Sequence, residues 1–146
     1  MERTDDISVL GIDVGTDRIG VALSDGLGLT AQPLVTLEVR GRDPLPALLD
    51  LCREHGVTRV VVGLPLSLGG GDRGEGCRRA RQLGARIEEA TGGEVIYRDE
   101  RFTTAEAERV LVSAGVRRDR RRRVVDRLAA ALILQGYLDE RTDRAS

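Results

Sequence analysis

Residues Ile7–Asp25 read ISVLGIDVGTDRIGVALSD, and the fold turns on that stretch. Ile7–Val14 is a short apolar run ending in Asp-Val-Gly, the pattern of a buried strand that reaches a tight turn. Arg18–Asp25 alternates and then breaks at Asp25-Gly26, which predicts a second strand joined to the first as a hairpin. Asp13 interrupts the first of these strands. A carboxylate in such a place needs a partner or a cation, because burying an unpaired charge is costly.

Outward from the hairpin, Leu34–Val39 reads as a third strand. Pro44–His55 has helical spacing through Leu45, Leu48, Leu49 and Cys52, with Gly56 as the stop. The unbroken valines of Arg59–Leu64 suit a parallel strand covered on both faces. A glycine-rich loop, Pro65–Gly76, follows and is expected to be mobile. A helix over Cys77–Ala90, a strand over Glu94–Arg98, a helix from Thr103 or Thr104 to Gly115, and a last helix over Arg120–Glu140 complete the chain. The order β-β-β-α-β-α-β-α-α predicts one α/β domain over residues 1–146, a mixed five-stranded sheet with helices on both faces. Residues 1–6 and 141–146 read as flexible tails.

Composition narrows the chemistry. Cys52 and Cys77 lack metal-type spacing and His55 is the only histidine, so a zinc site and histidine-based catalysis are both disfavoured. Reduced thiols, the absence of a signal-like start and the lack of a roughly 20-residue apolar run imply a cytoplasmic protein with no membrane partner. The net charge of -1 conceals an asymmetry: every one of the 23 basic residues is arginine, and Arg117–Arg127 holds seven of them against Asp119 and Asp126. Cations at a helix start oppose the macrodipole, so this run points to use by a polyanion. Aromatic residues are few (Tyr97, Phe102, Tyr137), which favours recognition of shape and backbone over base stacking.

With histidine and cysteine set aside, carboxylates remain. Asp13, Glu100 and Asp126 stand where acids are uncomfortable: in a strand, just past a strand, and in a helix ahead of the apolar run Leu128–Leu134. Singly, Asp13 can brace its turn, Glu100 can pair with Arg98 or Arg101, and Asp126 can pair with Arg122 or Arg123. Together they suggest convergence at the carboxyl edge of the sheet, provided the strands ending at Val14 and Arg98 are parallel neighbours. The small Ala129 and Ala130 would let the last helix bring Asp126 there. Three oxygen donors suit Mg²⁺ or Mn²⁺, and a pair of ions about 3.5–4 Å apart is the arrangement that cleaves phosphodiesters. Arg18, Arg101 and Arg123, each close in sequence to one of these acids, are the candidate phosphate contacts.

The blocks LGIDVGTDRIGVALSD (Leu10–Asp25), VVVGLPLSLGG (Val60–Gly70), YRDERFTTAEAERVL (Tyr97–Leu111) and VVDRLAAALILQGYLD (Val124–Asp139) together resemble the YqgF/RuvX family. That family comprises Holliday-junction-resolvase-like proteins and nucleases of pre-16S ribosomal RNA. The resemblance implies a ribonuclease-H-like fold and places catalytic and metal-binding roles on Asp13, Glu100 and Asp126. It implies a metal-dependent nuclease acting on structured RNA (pre-16S rRNA, at its 5′ end) or on branched DNA, as a monomer or weak homodimer. The chain departs from the family pattern at Asp17, where a basic residue is usual, and in the loop after Leu64-Pro65-Leu66, which here carries Ser67-Leu68, extra glycines and Glu75-Gly76.

Other readings remain open at this point. A junction resolvase requires two coordinated cuts and hence a dimer. A non-catalytic nucleic-acid-binding protein in transcription would have no need of three converging acids. An actin-like ATP-binding module is suggested by Gly11–Gly15, but 146 residues leave no room for its second domain.

Overall fold

The computed structural model describes residues 8–65, 74–100 and 103–145. Its elements are β1 (Val9–Val14), β2 (Arg18–Ser24), β3 (Ala31–Glu38), α1 (Leu45–Glu54), β4 (Arg59–Leu64), α2 (Glu75–Thr91), β5 (Glu94–Asp99), α3 (Thr103–Ser113) and α4 (Arg118–Ala145). The sheet runs β3-β2-β1-β4-β5. The first three strands pair antiparallel, while β4 and β5 run parallel to β1. The sheet is therefore mixed, as the sequence implies, but β1 and β5 are not neighbours: β4 lies between them.

Side-chain alternation along the strands divides the core in two. Leu10, Ile12, Val14, Ile19, Val21, Val60, Val62 and Leu64 point to one face, where α1 and α2 cover them with Leu48, Cys52, Cys77, Ala80, Leu83 and Ile87. Each large side chain buried there contributes about 1.5–3 kcal/mol relative to its exposed state. The other face presents Val9, Ala22 and Val61 to Ala130, Ala131, Ile133, Leu134 and Leu138 of α4. α3 docks on the outer side of α4 through Ala107, Val125 and Ala129.

Several boundaries differ from the sequence reading. β3 begins three residues early, at Ala31, and includes Pro33. As the edge strand it tolerates a residue without an N–H. Its start is tied to α4: Gln135 accepts from the Ala31 amide and donates to the Leu29 carbonyl, both at 2.9 Å. α2 starts at Glu75, inside the glycine-rich stretch; residues 66–73 of that loop lie outside the described residues, as do residues 1–6. α4 continues to Ala145, through most of the stretch read as a tail. Gly56 and Gly115 do stop their helices, with φ of 63° and 76° that a β-carbon disfavours. Among the described residues no helix is long and apolar enough to cross a membrane.

Candidate active site

Alternation puts Asp13 on the α4 face, one residue from the large apolar neighbours Ile12 and Val14 on the opposite face. Its register partner across the hairpin is Gly20. A β-carbon on Gly20 would lie 1.9 Å from the Asp126 carbonyl oxygen, and one on Gly11 would lie 2.8 Å from Leu134 Cβ. The backbone of α4 thus rests directly on β1 and β2 because those positions have no side chain. Asp126 arrives beside Asp13 as a consequence. The expected small residues are present on the helix, with Ala129 and Ala130 fully buried. The decisive small residues, however, are on the sheet.

Glu100 reaches Asp13 by a similar device. It follows β5, and β4 lies between. On β4 the position to be crossed is Gly63, where a β-carbon would sit 3.0 Å from Glu100 Oε2 and 3.1 Å from its carboxyl carbon. The Glu100 carboxyl therefore lies close over the glycine and hydrogen-bonds to Asp13. Main-chain bonds hold it there: the Glu100 amide donates to the Leu64 carbonyl and its own carbonyl accepts from Thr103, both at 2.9 Å. Adjacency of β1 and β5 is therefore unnecessary for the convergence.

The electrostatics follow from crowding two acids in a buried place. Burial is the main cause that raises the Glu100 carboxyl, to about 10, with the Asp13 hydrogen bond and charge adding to it. Burial likewise raises Asp13, opposed by the hydrogen bond from Glu100 and reinforced by the charge of Asp126. At neutral pH Glu100 keeps its proton and donates it in the hydrogen bond to Asp13. Asp126 behaves differently. Its carboxylate accepts from Arg18 Nε at 2.7 Å, a contact between residues 108 apart in sequence.

Among the described residues, two of the acids have partners other than the arginines nearest to them in sequence. Glu100 pairs with Asp13; Arg98, its suggested partner, forms an ion pair with Glu140 on α4 and lies against Gly136. Asp126 takes Arg18, which the sequence offers as a phosphate contact. Arg101 and the side chain of Arg123 lie outside the described residues. Asp17, the family departure, is paired with Arg40 at 3.1 Å. Of the basic run, Arg117, Arg118, Arg120 and Arg122 are exposed, whereas Arg121 is tied to Glu108 and to the Val116 carbonyl. Gly20 and Gly63 were not singled out by the sequence reading. Their signal was present: each is a glycine inside a strand, which marks close approach of another backbone or side chain.

For a divalent cation the donor set is chemically apt. It consists of oxygen only, and the hydrogen-bonded Asp13–Glu100 pair sets two carboxyl groups together where a cation would satisfy both. Among the described residues no three His, Cys, Asp or Glu side chains form a ready-made metal cluster. Asp126, engaged with Arg18, stands as the nearby third acid rather than as a member of the pair.

Comparison with known proteins agrees with this architecture. Residues 7–140 match the family described as RuvX, Holliday junction resolvase. A protein of Lactococcus lactis subsp. cremoris (strain MG1363) named "Putative pre-16S rRNA nuclease" is 46% identical over 134 residues, covering 90% of this chain and 93% of its own length. A Bacillus thuringiensis (strain Al Hakam) protein of the same name is 42% identical over 138 residues, covering 91% and 98%. Among solved structures, Thermus thermophilus RuvC in complex with a Holliday junction substrate aligns with a TM-score of 0.60 at 17% identity, over 94% of this chain and 96% of that one. That likeness shows a shared ribonuclease-H-like fold. With a family match spanning nearly the whole chain and close relatives covered almost end to end, the chain belongs to the RuvX family.

Proposed function

We propose that the chain is a metal-dependent nuclease that hydrolyses phosphodiesters in the 5′ leader of pre-16S ribosomal RNA, in the cytoplasm. The observation that carries this reading is the pairing of half-buried Asp13 with buried Glu100 beside Asp126 at the carboxyl edge of the sheet. Structural acids are normally matched with bases, whereas two acids pressed together form a site for a cation. Asp13 and Glu100 would hold Mg²⁺ or Mn²⁺, with Asp126 contributing to a two-ion arrangement. Such ions lower the pKa of water and stabilise the leaving oxygen. The chain's own residues keep the acids in position: Gly63 leaves the path for Glu100, Gly20 admits α4, and Arg18 orients Asp126. Arg18, Arg101 and Arg123, with the exposed arginines at the start of α4, are the proposed contacts to substrate phosphates.

The names of the relatives favour the RNA substrate, and the family's description favours a second reading, a resolvase that acts on branched DNA as a dimer. The test is cleavage of a pre-16S leader RNA and a synthetic four-way DNA junction, side by side, with Mg²⁺ or Mn²⁺. The expected result is cutting of the RNA alone, lost in Asp126→Asn. Cutting of the junction by a dimer transfers the reading to the resolvase. Failure to cut either substrate with either ion overturns both.

A further inference from the structure

The face of the sheet opposite the acids carries a second basic site at the same end of the strands. Beyond β1 lies a cavity of about 240 Å³ whose lining includes Gly15, Thr16, Arg42, Arg79, Gln82 and Arg86. At ~30 Å³ per water this is room for about eight waters, enough for a phosphate group with part of its shell. Three of its lining residues are arginines and none is acidic. Arg86 is engaged, its two η nitrogens donating to Asp43 at 2.9 and 2.8 Å. Arg79 has a donor to spare: its Nε is buried and has no hydrogen-bond partner among the described residues. A buried guanidinium N–H left unbonded is unfavourable. The core beneath does not require an arginine either, since α2 covers the sheet with Cys77, Ala80, Leu83 and Ile87.

We infer that this cavity binds a phosphate group, supplied by the strand whose scissile bond lies at Asp13. Arg79 and Arg42 supply charge, and the β1–β2 turn supplies the Thr16 hydroxyl and backbone. The same turn separates the cavity from the acids: Asp13 and Thr16 are three residues apart, a span of at most about 10 Å along the chain. A strand laid over the turn is therefore cut on one side and anchored on the other. The identity of the strand rests on the nuclease reading; the phosphate chemistry of the cavity does not.

The experiment is an NMR titration of the full chain in EDTA, with sodium phosphate in one arm and a short single-stranded RNA in the other. It follows the Gly15 and Thr16 amides and the Arg79 side-chain N–H. Both probes should move these signals. Arg79→Gln should weaken RNA binding about tenfold and reduce the slope of log affinity against log salt by roughly 0.7, the loss of one phosphate contact on a single strand. Its melting temperature should not fall, because the buried Nε that is removed has no hydrogen-bond partner among the described residues. Signals that stay still with both probes, or a variant that loses stability while its affinity is unchanged, would overturn the site. Movement with phosphate but not with RNA reassigns the cavity to a free phosphate compound and overturns its role in holding the strand. Since no cleavage is involved, a silent titration leaves the nuclease reading standing, and absent cleavage beside a positive titration does the reverse.

Discussion

The two faces of the sheet are built from the same strands and differ in almost every other respect. On the α1/α2 face β1 presents Leu10, Ile12 and Val14, and β4 presents Val60, Val62 and Leu64. On the α4 face the same strands present Gly11 and Asp13, and Val61 and Gly63. One face keeps its helices at a distance with large side chains and holds most of the apolar core. The other removes side chains so that a helix backbone and a glutamate can come within van der Waals contact of the strands. Stability is concentrated where volume is large, and the proposed chemistry where it is missing.

That contrast predicts different failures on the two sides. Leu48→Ala, in the fully buried α1/α2 core, should cost about 2–5 kcal/mol by chemical denaturation, while the folded fraction keeps its cleavage rate. Gly20→Ala should be almost as damaging, about 3 kcal/mol, because the new carbon meets the Asp126 main chain, which cannot rotate away. It should also depress cleavage, since α4 must lift and carry Asp126 with it. Gly63→Ala sharpens the comparison. Its β-carbon meets the ends of the Ile133 and Glu100 side chains, which can shift, so the loss of stability should be only about 1 kcal/mol. Cleavage should nevertheless fall by about a hundredfold, because what shifts is an acid of the site. If Gly63→Ala loses stability and activity in proportion, the division between the two faces is wrong.

The two faces are also separated by pH. Glu100 is raised from 4.5 when unfolded to about 10 when folded, so between those values the folded chain binds more protons than the unfolded one. Its contribution to stability is complete below about pH 4.5 and is lost as pH rises towards 10. In chelator, wild-type stability should therefore decline with pH across this window more steeply than that of Glu100→Gln. Urea melts at several pH values check it; parallel profiles for the two proteins would contradict the assignment.

Much of this was legible in the sequence. Local pattern was sufficient for the hairpin and for Arg59–Leu64, which is β4 residue for residue. Asp13, Glu100 and Asp126 stood out because each disturbs an apolar or regular context. Strand order was not legible, since sequence adjacency says nothing of which parallel strand inserts between β1 and β5. Nor was the Arg18–Asp126 bond, which joins residues 108 apart. The glycines were ambiguous for a different reason. A glycine within a strand announces that something comes close, but only the tertiary fold says whether it is a helix, as at Gly20, or an acid, as at Gly63.

The proposed nuclease chemistry depends on the Asp13–Glu100 pair as a place for a divalent cation, and calorimetric titration of Mn²⁺ into the chelated protein tests this most directly. The expected result is binding to the wild type that is lost in Asp13→Asn and in Glu100→Gln, and retained in Arg79→Gln on the opposite face. Equal Mn²⁺ binding by the wild type and both acid variants would contradict it.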